Sequence, residues 1–136
     1  MKEGNLSYGD RMKVNILVID DEESIRFSFS RFLAAKGHNV TTAGGYKEAL
    51  ARMDEAVFEL ILADIILDDG WGIDILGEVI ERNLKTRVII MTAYPSKETA
   101  QESYRMHAVD YLVKPLKQAG LLSSVNKALI NSRCDN

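Results

Sequence analysis

A chain of 136 residues with 46% hydrophobic content supports one compact domain with a true core and leaves little room for a second. Its net charge of −3 gives no basic stripe of the kind that holds nucleic acid, so no direct nucleic acid binding by this chain is expected, and a small charged ligand or another protein fits better. The single cysteine, Cys134, excludes a disulfide framework or a cysteine metal cluster and agrees with a reducing compartment.

No apolar run approaches the roughly 20 residues that a membrane helix needs. The polar, glycine-containing start lacks the apolar core of a secretory signal, so residues 1–12 read as a disordered lead of a cytoplasmic protein. Residues 13–131 carry the folded domain and residues 132–136 a polar tail. Val14 to Ile19 is the first strand and closes on Asp20-Asp21. Glu22 and Glu23 suit the positive first turn of a helix on which Ile25, Phe29, Phe32 and Leu33 recur at helical spacing until Gly37 stops it. His38 to Ala43, half polar, suits a strand near a sheet edge, and Gly44-Gly45 breaks it. Ala49, Leu50 and Met53 mark a short second helix.

Phe58 then opens the run Leu60-Ile61-Leu62-Ala63-Asp64, an unbroken apolar stretch ending on a bare carboxylate. Such a run is a strand buried on both faces, the mark of a parallel sheet. The loop Ile65 to Gly72 gives way to a helix with Ile73, Leu76 and Ile80 on one face. Arg87 to Met91 is the next apolar strand, ending on Thr92, and Ser96 after Pro95 can cap a polar helix running to about Met106. Val109 to Val113 is the last strand, closing on Lys114-Pro115, and a final helix from Gln118 to about Ile130 turns Leu122, Val125 and Leu129 to the core. Alternating strands and helices of these lengths predict a doubly wound α/β sandwich.

In a parallel sheet all strand ends lie along one edge, where open α/β folds bind ligands. Asp20, Asp21, Asp64, Thr92 and Lys114 therefore meet there. Three carboxylates together repel unless a cation is present, and oxygen ligands without His or Cys point to Mg2+ or a similar hard ion. A carboxylate beside such an ion, with Lys114 and Thr92 opposite, is set up to attack phosphorus and form an aspartyl phosphate.

These residues, with Gly72 eight places after Asp64, Thr92-Ala93, and Asp110-Tyr111-Leu112-Val113-Lys114-Pro115, resemble the receiver domains of two-component response regulators over nearly all of Asn15 to Ile130. The resemblance implies a flavodoxin-like five-stranded parallel sheet of order 2-1-3-4-5 with five helices. It implies Asp64 as phosphoacceptor from a sensor histidine kinase or phosphotransfer protein, the chain catalysing only its own modification. Asp21, Asp64 and the Ile66 backbone carbonyl would hold magnesium directly, Asp20 mostly through water. Lys114 would pair with the phosphoryl group and precede a cis bond to Pro115. Thr92 and Tyr111 would switch the surface of the fourth helix, last strand and fifth helix to control output such as transcription. That surface could also mediate a homodimer, and an output domain could follow the C-terminus.

The sequence departs from the family where Asp68, followed by Asp69, stands in place of a usual proline, and where His107 stands in place of a common glycine. In the family the positions held here by Tyr94 and Ile66 flank the acceptor and influence attack by water, so the resemblance, with both residues bulky, implies a long-lived phosphoryl group. Plainer readings stand beside these. Asp20-Asp21 could be only a helix cap, Thr92 a turn residue, Tyr111 a core aromatic with its hydroxyl in water, and Lys114 solvated surface. Trp71 is either a partial lid or packing against the third helix, and His38 and His107 read as surface or turn residues. Two other functions stay open: a haloacid-dehalogenase-type phosphatase, disfavoured by Ile66 two places after Asp64 and by the lack of length for a cap domain, and a degenerate receiver acting as a constitutive interaction module.

Overall fold

The computed structural model describes residues 13–134, with side chains through residue 130. The lead assigned to residues 1–12, the end of the tail and the Cys134 thiol lie outside the described residues. Strands β1 (Asn15–Ile19), β2 (Asn39–Ala43), β3 (Leu60–Asp64), β4 (Arg87–Thr92) and β5 (Asp110–Val113) alternate with helices α1 (Glu23–Ala34), α2 (Tyr46–Glu55), α3 (Ile73–Glu81), α4 (Lys97–Arg105) and α5 (Gln118–Cys134). The strands form one parallel sheet in the order β2-β1-β3-β4-β5, so the expected doubly wound topology is the observed one.

Successive residues of each central strand serve opposite cores, as a two-residue side-chain period demands. Leu17, Ile19, Ile61, Ala63, Val88 and Ile90 pack with residues of α2 and α3 such as Ala49, Met53, Ile75 and Leu76. Ile16, Val18, Leu60, Leu62, Ile89 and Met91 pack with Phe29 and Leu33 of α1 and Leu121, Val125 and Leu129 of α5. All five residues of β3 are buried, which is why its sequence shows no polar alternation.

Several expectations are corrected. The loop after β3 holds a small antiparallel hairpin that its sequence did not announce, Ile66–Leu67 with Gly70–Trp71. Ile80 points to solvent, 51% exposed, because α3 uses Ile73, Ile75, Leu76 and Val79 against the sheet. Helix α5 continues to Cys134, past Ile130 and into the expected tail, since nothing in Asn131-Ser132-Arg133 breaks a helix. His38 is not a surface residue: it is 5% exposed, and its Nδ1 accepts a hydrogen bond from the Val14 amide at 3.2 Å. Burial lowers its pKa from the ordinary histidine value. His107, exposed in the turn into β5, has φ of +75°, a left-handed conformation that explains why glycine suits this place.

Candidate functional site

Strands β1, β3 and β4 end side by side, and the residues at or just after their tips line one edge of the sheet. Asp20 follows β1 and is fully buried, and its Oδ1 accepts from the Glu22 amide at 2.9 Å, which turns the chain into α1. Asp21 beside it is half-buried. Asp64 ends β3 and is 7% exposed. One carboxylate oxygen from each of Asp20, Asp21 and Asp64 lies within 4.8 Å of the others. An oxygen-only set of this charge fits a hard divalent ion.

Lys114 reaches this cluster from the end of β5. Its Nζ donates to Asp20 Oδ2 at 2.6 Å and to Asp64 Oδ2 at 2.9 Å. The solvated-surface reading of Lys114 is thereby excluded. The Lys114–Pro115 bond is cis, as the resemblance implies. Burial raises the Asp64 pKa, against the opposing pull of the Lys114 hydrogen bond and charge, while Asp20 adds to the rise. For Lys114, burial disfavours the cation, but the hydrogen bonds and charges of Asp20 and Asp64 together outweigh it and hold the ammonium above its ordinary pKa.

Thr92, 1% exposed at the tip of β4, accepts a hydrogen bond from the Tyr94 amide on Oγ1 at 2.9 Å, so its hydroxyl organises the turn that follows. Tyr111 on β5 is half-buried against the α2–α3 side of the core. Its hydroxyl is not in water: it shares a 2.7 Å hydrogen bond with Thr99 Oγ1 and accepts from the Ser96 amide at 3.3 Å, while its ring lies 6.4 Å from that of Tyr104. Ser96 caps α4 as expected, its Oγ accepting from the Thr99 amide at 3.0 Å.

Ile66 stands two places past Asp64 and is 48% exposed, and its backbone amide draws the Asp64 pKa down, a smaller effect than the rise from burial. Trp71 pairs with Ile66 across the hairpin and is 42% exposed. The neighbouring Asp21 carboxylate raises the Asp68 pKa.

Sequence reasoning marks Asp69 only as the second of an acid pair that could alter metal affinity or loop stiffness, and it missed the residue's partners. Its Oδ1 accepts from the Tyr46 amide at 2.6 Å and its Oδ2 from the Lys47 amide at 3.0 Å. It therefore caps α2 from the far side of the β3–α3 loop. Only a helix start without its own capping side chain, at Gly45, could have hinted at this.

A family model described as the response regulator receiver domain matches residues 16–126. The transcriptional regulatory protein ZraR of Salmonella typhimurium is 39% identical over 123 residues, covering 90% of this chain and 28% of its own length. The chain thus spans little more than a quarter of the length of such curated relatives. A CheY-like response regulator receiver domain from Methanospirillum hungatei superimposes with a TM-score of 0.86 at 28% identity, covering 91% of this chain and 99% of that one. A response regulator from Burkholderia pseudomallei, solved with a phosphorylated aspartic acid, a calcium ion and citrate, gives a TM-score of 0.76 at 28% identity, covering 89% of this chain and 72% of that one.

Proposed function

The chain belongs to the response regulator receiver domain family, and from that premise we propose that Asp64 accepts a phosphoryl group from the phosphohistidine of a sensor histidine kinase or phosphotransfer protein. The observation that carries this reading is the buried Asp64 carboxylate 2.9 Å from the Lys114 ammonium and clustered with Asp20 and Asp21. The Burkholderia relative, solved with a phosphorylated aspartic acid and a calcium ion, supports it.

An Asp64 carboxylate oxygen attacks phosphorus. The O–P bond forms as the N–P bond breaks, and the histidine nitrogen leaves with the electron pair. Lys114 turns from Asp64 to a phosphoryl oxygen, and Thr92 releases the Tyr94 amide to donate its hydroxyl to another. Asp21, Asp64 and the Ile66 backbone carbonyl would hold Mg2+ directly, with Asp20 acting through water. When bound, the ion supplies positive charge against the transferring oxygens. The chain catalyses only its own phosphorylation and dephosphorylation.

The new charge biases an existing two-state element. As Thr92 moves, Tyr111 follows inward, parts from Ser96 and Thr99, and repacks the α4–β5–α5 surface on which a homodimer or an output domain would form. Transcriptional control is the output that ZraR suggests. Exposed Tyr94 and Ile66 flank the acceptor and obstruct water, giving a long-lived phosphoryl group; unchanged dephosphorylation rates in both Tyr94→Ala and Ile66→Asn would refute that lifetime.

Intact mass after incubation with a small-molecule phosphodonor, with and without Mg2+, tests the main reading. One phosphoryl group gained only with Mg2+ and never by Asp64→Asn is the expected result. No gain by the folded wild type would favour a constitutive interaction module.

A further inference from the structure

We propose that Asp69 is a positioning residue for the metal: by tying the acceptor loop to the start of α2, it sets where the Ile66 carbonyl is presented. This rests on the metal ligation proposed above and deepens it.

Three contacts place the loop. Leu67, 5% exposed, anchors one hairpin strand in the core. The Asp69 carboxylate at the hairpin tip takes both first amides of α2, at 2.6 and 3.0 Å. Gly70 lies so close to Tyr46 that an added Cβ would come within 2.7 Å of the Tyr46 Cβ. The pairing of Ile66 with Trp71 and of Leu67 with Gly70 passes the position of the tip to Ile66, three residues from Asp69. Ile66 lies in the hairpin two residues past Asp64, so where its carbonyl is presented depends on the hairpin's seat. The tie is charge-assisted, with a carboxylate against amides at a helix N-terminus, and these amides hold the Asp69 pKa below the ordinary carboxylate value.

The alternative is that Asp69 is only a distant cap for α2. Gly45 separates the two roles. It stands at the capping place of α2 with extended backbone (φ −170°), which any residue adopts, and a Cβ there would meet Asp69 Oδ1 at 2.7 Å. Once Asp69 is alanine, a serine at position 45 has room to cap α2 locally while leaving the loop untied.

The only tryptophan, Trp71, lies opposite Ile66 in the hairpin and serves as the reporter for a fluorescence titration with MgCl2. Asp69→Ala should weaken the apparent Mg2+ affinity by about tenfold, the size of effect seen when a ligand loses its supporting contact. Asp69→Asn should fall between the two. The double variant Gly45→Ser with Asp69→Ala should recover thermal stability but not affinity. Unchanged affinity in Asp69→Ala, or affinity restored by Gly45→Ser, would overturn the positioning role and leave a helix cap. A wild type blind to Mg2+ in both fluorescence and the phosphodonor assay would remove the metal reading itself, and this inference with it.

Discussion

The loop after β3 and the loop after β4 both border Asp64, yet they are held by different chemistry. The first is fixed by the Gly72 amide bonded to the Ile65 carbonyl at 2.6 Å, by Leu67 in the core, and by the Asp69 carboxylate on two backbone amides. The second is held by hydroxyls, from Thr92 to the Tyr94 amide and from Tyr111 and Ser96 to Thr99, and its Tyr94 is 74% exposed. Hydroxyls rotate and exchange donor for acceptor at little cost, whereas a carboxylate on paired amides does not. One side of Asp64 is thus held by a carboxylate on amides and the other by exchangeable hydroxyls, and α4, whose one buried residue is Ser103, is lightly seated beside the second.

The strongest way to break the fixed side is Gly72→Ala. An added Cβ would fall 1.8 Å from the Asp64 carbonyl oxygen, a backbone atom that cannot step aside. Urea unfolding should show a loss of about 3 kcal/mol. Next comes Lys114→Met, which leaves buried Asp20 and Asp64 facing each other without their cation. It should cost about 2 kcal/mol at neutral pH by the same measurement. Because burial already raises the Asp64 pKa, charging that carboxyl opposes folding as the pH climbs through its folded value, and the deficit of the variant should shrink as the pH falls.

On the movable side the losses should be smaller. Ser96→Ala removes the α4 cap and should lower stability by about 1 kcal/mol in thermal or urea melts. Tyr111→Phe removes the hydroxyl from Thr99 and Ser96, for about 0.5 kcal/mol, since those two can bond each other, and it should leave the Mg2+ titration of Trp71 unchanged. An equal effect of Tyr111→Phe and Asp69→Ala on that titration would erase the distinction between the loops. The smallest effect lies in acid. The folded pKa of Asp69 is depressed, so its contribution is present above the ordinary carboxylate value and is lost as pH falls through the lower folded one. The stability gap between wild type and Asp69→Asn should hold at neutral pH and close only below that ordinary value, near pH 3.8.

The same contrast marks what could be read from the chain alone. Ser96 announced its role because a serine and the amide it caps are three residues apart, within the reach of a local pattern. Asp69 did not, because its partner Tyr46 is 23 residues away and the two meet only after β3 and α2 have packed. His38 read as surface for a related reason: its hydrogen bond to Val14 spans 24 residues and appears only when β2 lies beside β1. Ile80 was misplaced because α3 carries more apolar residues than its buried face uses, and periodicity cannot say which stripe meets the sheet.

What the sequence determined by itself is the order of strands and helices and the edge on which Asp20, Asp21, Asp64, Thr92 and Lys114 would gather, because apolar runs ending on polar residues in a parallel sheet leave those ends no other place. The tertiary structure alone decided how they are held: the Lys114 bridge between Asp20 and Asp64, the Tyr111 hydroxyl on α4, and the Asp69 tie to α2. The physical reason is range. Burial and periodicity are written into neighbouring residues, whereas a hydrogen bond between distant segments is made only when packing has set their atoms within about 3 Å of each other.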